Sequence, residues 1–378
     1  MKIAFIVHDF HCHGGHSRYV VELATRFMDK HEVHVYTNTW EGDFPKIYFH
    51  KIPAITWREI TKVFSFILPA TFLVPSNFDI IHSQGLCGFR HDITTTHIIQ
   101  KTWLRELKSR GFVGSKSSYF FWKWIGIPLE KLALLPKFSK KIIAISKKVA
   151  YDLSIDYKIT DNVEVVYHGV DLNTFHPRNK EYHRLEIRKA IGINDNIFLG
   201  IFVGNLKKGA VAAIKAISKT DSCHLLIVSG SDSTHEKKMV KHLGLERRIH
   251  WLGLSKEIEK IYAAADCLVF PTFFDTFGMV ITEAMASGLP VITNRNAGAS
   301  ELIEHEVSGF LTTDPWDDIG ISKYLNYLEK NRSIADQVGI KGRLAVESYD
   351  WDNCAKKTMD IYLKLSDEKR KMKNKAFK

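Results

Sequence analysis

The strongest constraint on the fold is a repeated alternation of short apolar runs with helically spaced segments. In the first half, runs rich in Val, Ile and Phe fall at 3–7, 33–36, 80–82, 141–145 and 163–166. They lack strict polar–apolar alternation, as strands buried on both faces of a parallel sheet do. Between the first two runs, Tyr19-Val20, Leu23-Ala24 and Phe27-Met28 recur at helical spacing, so the order is strand, helix, strand. The pattern restarts with runs at 197–203, 224–228, 249–252, 267–270, 290–293 and 309–312, separated by helical segments at 210–218, 258–265 and 280–287. A polar stretch carrying Pro177 lies between the two series and suits a linker. The expectation is an α/β chain of two doubly wound domains facing a central cleft. The N-terminal domain takes 1–172, the linker 173–189 and the C-terminal domain 190–348. Residues 349–378 form a C-terminal helix and basic tail, with packing back onto the N-terminal domain as one option.

Bulk properties agree with a globular chain. It has 378 residues, 45% hydrophobic and 25% charged, enough for two cores and unlike a disordered or fibrous chain. No uninterrupted apolar run approaches the roughly 18 residues of a spanning helix. The start, MKIAFIVHDF, is too short an apolar run for a secretory signal and reads as a first buried strand. The five cysteines are scattered, which points to reduced thiols in a cytoplasm. The net charge of +11 is unevenly placed: residues 97–150 hold twelve Lys or Arg against Glu106 and Glu130 alone, and the last ten residues add six more cations. Such blocks seek an anionic partner.

The chemistry concentrates in Asp275-Thr-Phe-Gly-Met-Val-Ile-Thr-Glu283. A strand ends at Phe270-Pro271, a loop follows, and Gly278 opens an apolar helix. In an open α/β sheet, ligands bind beyond the carboxyl ends of the strands. Amides of Gly278, Met279 and Val280 at a helix start attract an anion such as a diphosphate. Glu283 then reaches an adjacent ribose, and Asp275 faces the group at the other end of the diphosphate. On the residues alone, a Gly-started helix with a solvated Glu and a loop Asp is an equal alternative.

That segment resembles the donor-binding signature of glycosyltransferase family 4: two acids separated by seven residues, then Ala-x-Ala-x-Gly-x-Pro-Val. Further matches cover most of the chain. They include Gly14-Gly15, Tyr167-His-Gly-Val-Asp171, Val203-Gly-Asn-Leu-Lys-Lys-Gly209, Trp251-Leu-Gly253, Ala264-Ala-Asp266, Ala297-Gly-Ala-Ser-Glu301 and Tyr349-Asp-Trp351. Tyr36-Thr-Asn-Thr-Trp-Glu-Gly-Asp-Phe-Pro45 is similar to the lipopolysaccharide core glucosyltransferases within that family. The resemblance implies the GT-B arrangement of two Rossmann-like domains, with acceptor binding by the first and the nucleotide-sugar donor held by the second.

Carried over residue by residue, Glu283 matches the ribose-binding acid. Asp275 matches the residue contacting the transferred sugar, where the family usually carries Glu, so its reach is one methylene shorter. Lys207 and Lys208 match the cations that neutralise the diphosphate, and a fixed cation there lowers the barrier without a metal. Asn205 stands where many members have Arg. Phe277 completes the donor loop. Gly14 and Gly15 let backbone approach the donor. His97 matches a histidine facing the transferred sugar, suited to hydrogen bonding while neutral. For the lysines a solvated turn, and for His97 a buried structural role, remain alternative readings. His8, His11, His13 and His16 are not spaced as a recognised metal set, and no metal or other cofactor is expected. Retention of configuration is likewise implied by the resemblance.

The basic block interleaves cations with aromatics. Lys101, Trp103, Arg105, Lys108, Arg110, Trp122, Lys123 and Trp124 are read as a membrane or acceptor surface, since Trp favours the membrane interface and Lys and Arg favour anionic headgroups. A single-stranded nucleic-acid surface has a similar composition, but the family's lipid-linked or lipopolysaccharide-type acceptors favour the membrane. The expectation is a cytoplasmic enzyme held peripherally on the inner membrane face. It moves a hexose, glucose from UDP-glucose first, to a lipopolysaccharide-core or other cell-envelope glycan. Alternatives are an epimerase or phosphorylase on the same fold, and a degenerate glycan- or nucleic-acid-binding module. The oligomeric state stays open.

Overall fold

The computed structural model describes residues 1–109 and 116–376. The chain forms two compact units: Met1–Gly169 with Trp351–Lys378, and Val170–Asp350.

The first unit is built on seven parallel strands: β1 (Lys2–Ile6), β2 (Glu32–Thr37), β3 (Ile47–Lys51), β4 (Ile80–Gln84), β5 (Ile93–Thr96), β6 (Lys141–Ala144) and β7 (Val163–Val165). Their spatial order is β3-β2-β1-β4-β5-β6-β7, a doubly wound sheet that reverses direction beside β1. The central strands are buried along nearly their whole length, which is why their sequences show no alternation. The edge strand β3 is exposed or half-buried at Tyr48, Phe49, His50 and Lys51 and was not recognised as a strand for that reason.

The C-terminal helix, Trp351–Ala376, runs to a full 26 residues and takes up the described part of the basic tail. It belongs to the first unit. Trp351, Tyr362 and Leu365 are buried, and the Tyr362 hydroxyl meets His82 Nδ1 of β4 at 2.5 Å. Lys369 reaches the Asp79 carbonyl at 2.8 Å and the Asp92 carboxylate at 3.0 Å.

The second unit holds β8 (Leu199–Val203), β9 (His224–Val228), β10 (Ile249–Leu252), β11 (Cys267–Phe270), β12 (Val291–Asn294) and β13 (Phe310–Thr312), in the order β10-β9-β8-β11-β12-β13, all parallel. The strand order reverses between β8 and β11. Both carry their loops to the same switch point, where an open sheet leaves room for a ligand.

One expectation is corrected here. The stretch 173–189 is not a linker: the helix Asn179–Ala190 is folded into the second unit. The cause is Arg188, only 1% exposed, whose guanidinium donates to the carbonyls of Ala264, Asn194, Asp195 and Ile197 and to Asp266 Oδ2 at 2.8 Å. Asp266 also accepts from Arg184 at 2.9 Å and from the Leu199 amide at 2.7 Å. Polar composition suggested a solvated segment, but its arginines close on one sheltered carboxylate, its side chain 10% exposed. Asp266→Ala leaves the buried Arg188 with only the more distant Asp195 carboxylate at 3.7 Å and is expected to cost about 3 kcal/mol, since removing the nearer partner of a sheltered pair largely strands the other charge. A chemical-denaturation midpoint within error of the parent would contradict this.

Candidate functional site

At the switch point of the second unit, the turn after β8 and the loop after β11 are pressed together. Gly209 makes this possible: its φ is +114°, and a Cβ there would sit 2.3 Å from the Pro271 carbonyl oxygen. The short turn Leu206–Lys208 before it is capped by Asn205, whose Oδ1 accepts from the Lys207 amide at 3.0 Å. Asn205 therefore spends its side-chain oxygen on the turn. Lys207 is exposed, whereas Lys208 points back to the β11 loop. Its Nζ lies 2.6 Å from Asp275 Oδ2. The lysine side chain is 40% exposed and the aspartate 12%, so a sheltered carboxylate meets a half-open cation.

Asp275 is held from several sides. Its other carboxylate oxygen accepts from the Phe277 amide at 3.2 Å. Its backbone pairs with the segment after β12: the Asp275 amide donates to the Asn296 carbonyl and the Gly298 amide to the Asp275 carbonyl, both at 3.1 Å. The Ala299 amide closes on the Phe277 carbonyl. The Ala297–Glu301 motif thus works as a clamp on the acidic loop, a role its composition did not disclose.

Gly278, at φ +85° and ψ +63°, turns this loop into the helix Met279–Ala286. The amides of Met279 and Val280 lie in its first turn and have no intrahelical acceptor. Glu283, 8% exposed, lies one turn further along. The buried Tyr262 hydroxyl donates to its Oε2 at 3.4 Å, a partner that sequence spacing gave no reason to expect. Burial foremost, then the Glu283 charge, pushes the Tyr262 phenol well above its usual value, so it stays a donor.

A second constellation belongs to the first unit. His97 follows β5 at the strand's carboxyl end, is 9% exposed, and places Nε2 2.9 Å from Gln84 Oε1 at the end of β4. Gly14 and Gly15 open the helix Gly15–Phe27, and its first turn brings the His16 ring to 4.4 Å from that of His97. His168, from the Tyr167–Asp171 motif, lies 5.4 Å from His97, and Tyr19 lies 5.3 Å from it. Burial first, then the neighbouring His16, His168 and His82, holds His97 well below the ordinary imidazole value, so it is neutral at neutral pH. Among the described residues no group of three His, Cys, Asp or Glu is placed to hold a metal ion.

Two family profiles cover both units. "Glycosyltransferase Family 4" matches residues 13–174 and "Glycosyl transferases group 1" matches residues 183–345. The chain belongs to the GT-B glycosyltransferases. An uncharacterised glycosyltransferase of Methanocaldococcus jannaschii is 29% identical over 234 residues, which are 59% of this chain and 60% of that relative's length. The chain thus spans about three fifths of that protein. Among solved structures, WaaG, a glycosyltransferase involved in lipopolysaccharide biosynthesis, superposes with a TM-score of 0.78 at 18% identity, covering 95% of this chain and 99% of WaaG. Anabaena HepE in complex with UDP-glucose gives 0.71 at 20% identity, covering 96% and 99%. At these identities the likeness is one of fold.

The basic block of this GT-B chain is less free than its composition suggested. Lys101 and Arg105 converge on the buried Asp156: the lysine Nζ donates to its carbonyl at 2.9 Å and the arginine to its carboxylate at 2.5 Å. Trp122 is half-buried against Phe64, with ring centroids 5.3 Å apart. Trp103 is also half-buried, and Lys108 is exposed. Lys123 stands 5.3 Å over the Trp124 ring, and Trp124 is 60% exposed. Arg110 lies outside the described residues. The sequence reading missed the helix Glu59–Leu73, which leaves Leu68 and Phe72 exposed, and Trp57 just before it. Its Phe64 packs on Phe121, and the two border an apolar hollow of about 500 Å³ with Ile55 and Ile60. No helix among the described residues is long and apolar enough to cross a membrane.

Proposed function

We propose that the chain is a retaining hexosyltransferase, taking glucose from UDP-glucose and passing it to a lipopolysaccharide-core or other cell-envelope glycan without a metal. The observation that carries this reading is the Lys208–Asp275 pair beside the Gly278 helix start. It puts one cation and one carboxylate on adjoining loops, beside first-turn amides and with Glu283 one turn into the helix that follows. Lys208 neutralises the diphosphate as its bond to the sugar breaks, the amides of Gly278, Met279 and Val280 orient it, and Glu283 holds the ribose. Asp275 contacts the transferred sugar, fixed at its shorter reach by Lys208 and the Phe277 amide. Gly14 and Gly15 offer backbone, and neutral His97 offers a hydrogen bond to a sugar hydroxyl. The choice of UDP-glucose and an envelope acceptor is supported by HepE, seen with UDP-glucose, and by WaaG's place in lipopolysaccharide biosynthesis.

Incubation with a panel of UDP-, GDP- and ADP-hexoses, with anomeric configuration of the product read by NMR, tests the reading. No turnover and no calorimetric binding of any donor would sink it. Glu283→Ala is expected to raise the donor KM about 10- to 100-fold with kcat nearly unchanged. That corresponds to losing charge-assisted hydrogen bonds made equally in ground and transition states. An unaltered KM would remove Glu283 from the ribose.

The same proposal holds the enzyme on the membrane through Lys108, Lys123, Trp124 and the apolar face of Glu59–Leu73, in place of the internally paired Lys101 and Arg105. Anionic phosphatidylglycerol vesicles at low salt are expected to bind at least about tenfold more protein than neutral ones, the difference shrinking in salt. Equal binding to both would count against an electrostatic surface.

A further inference from the structure

The second unit carries a hollow of about 420 Å³ away from the donor loops. Lys180 and Arg184 reach it from the helix Asn179–Ala190, and Arg332 and Asp336 from the helix Arg332–Val346. Asn196 and Phe198 line it just before β8, and Asp266 just before β11. The strands run parallel, so these amino ends lie opposite the carboxyl ends that lead to Lys208 and Asp275. The volume falls within the ~300–1,000 Å³ of small-molecule sites.

Part of this lining is already paired. Asp266 accepts from Arg184 and Arg188, and Arg184 also holds Asp195 at 2.6 Å. Arg332 donates Nη2 to the Asn196 carbonyl at 3.0 Å and sets Nη1 3.4 Å from Asp266 Oδ2, its guanidinium 4.7 Å over the Phe198 ring. These contacts account for two of its five N–H groups, and its side chain is 39% exposed. Two charges are left over. Among the described residues neither the Lys180 ammonium nor the Asp336 carboxylate makes a hydrogen bond or ion pair, with each other or with any third group. Burial foremost pulls Lys180 below its ordinary value; Asp266 and Asp336 oppose this, and Arg184 and Arg188 add to it.

An ammonium only donates and a carboxylate only accepts, so a ligand that satisfies both carries an acceptor at one end and a donor at the other. Around the hollow Lys180, Arg184, Arg188 and Arg332 outnumber Asp195, Asp266 and Asp336, which favours a net negative ligand. That selects a hydroxyl over an ammonium as the donating end. The open side of an arginine fork beside a lysine matches a phosphate, which brings a charge of about −1.5 to −2 at neutral pH.

We propose that this hollow binds a hydroxyl-bearing phosphate monoester, its phosphate between Lys180 and Arg332 and a hydroxyl donating to Asp336. The ligand bridges two helices at the end of the sheet remote from the transfer chemistry, so it is neither donor nor acceptor. Its binding does not depend on which sugar the donor loops hold.

The test is calorimetric titration of the full chain with inorganic phosphate, gluconate, glycerol 3-phosphate, ribose 5-phosphate and hexose 6-phosphates. At least one monoester is expected to bind ten times or more tightly than inorganic phosphate or gluconate. Lys180→Ala is expected to weaken both that ester and inorganic phosphate tenfold or more, whereas Lys208→Ala leaves both within twofold. Asp336→Ala removes a hydroxyl acceptor and a like charge together. The ester is therefore expected to weaken at least threefold, while inorganic phosphate binds as before or more tightly. Neither Lys180 nor Asp336 has a partner to lose, so both variants are expected to keep the parent's melting temperature. Monoesters no tighter than inorganic phosphate or gluconate would overturn the proposal, as would no binding of any probe at millimolar concentration. Binding lost in Lys208→Ala but kept in Lys180→Ala would place the phosphate at the donor loops and overturn it also. UDP titrated into the same samples keeps the two readings apart: ester binding without UDP binding counts against the transfer reading alone.

Discussion

Lys208→Ala is expected to lower kcat by about 10²- to 10³-fold with a small change in donor KM, the loss typical of one preorganised group facing developing charge. The case rests on position. Lys207 is exposed, whereas Lys208 is drawn to Asp275 at 2.6 Å by a turn that Gly209 packs against Pro271. A cation already oriented costs no reorganisation when the leaving diphosphate gains charge. Lys207→Ala is accordingly expected to change kcat less than about threefold, as for an exposed charge screened by solvent. The lysine variant also leaves Asp275 with the Phe277 amide as its remaining side-chain donor, so sugar positioning suffers together with charge stabilisation. Steady-state kinetics of both variants with one donor decide the matter. Equal effects at 207 and 208, or a kcat within threefold of the parent for Lys208→Ala, would refute this assignment.

Acidification is expected to unfold the first unit well before pH 4. His82, His91, His97 and His168 are buried there, and desolvation lowers His82 and His168 to about 3 and His91 to about 4, with His97 also far below its normal value. Below pH 6.5 the unfolded chain binds protons that the folded unit refuses. Stability therefore falls with pH, by about 1.4 kcal/mol per unit for each such histidine, until its folded value is reached. Glu130 acts in the opposite sense. Burial raises it to about 7, so its contribution is present at low pH and is lost as pH rises through 7. Between pH 6.5 and 4.5 it offsets roughly one histidine, leaving a net loss of about 4 kcal/mol per pH unit. Against a typical domain stability of about 5–15 kcal/mol, two pH units suffice for most of it. Hydrogen exchange read by mass spectrometry along a pH series should show β4 and β5 losing protection between pH 6 and 4.5. Full protection of both strands at pH 4 would contradict the neutral-histidine core.

How much of this could be read from the chain depends on whether the cause is local. Strands buried on both faces carry their burial in their own composition, so the two parallel sheets were legible, as was the acid-x7-acid segment around a glycine helix start. Edge strand β3 carries no such signature. Partnerships across sequence were invisible: Lys208 finds Asp275 67 residues on, through a close approach that only Gly209 allows. The same holds for Arg188 with Asp266, which turned a polar stretch into a docked helix, and for Lys101 and Arg105, which counting placed among free cations until Asp156 claimed them. Gln84 was overlooked because a lone glutamine after a strand has no distinguishing pattern.

The C-terminal helix makes the second unit an insertion within the first. Val170 and Asp350, the two ends of that insertion, pair with each other in a parallel bridge, so residues 170–350 begin and finish at one point. A ribosome therefore completes the second unit while the first still lacks Trp351, Tyr362 and Leu365 from its core. Domains usually fold in order of synthesis, but here the later one closes first. Until the final helix emerges, the first unit has all seven strands but exposes the surface around Phe27 and His82 on which Tyr362 later packs, and it is the part of the nascent chain most in need of a chaperone.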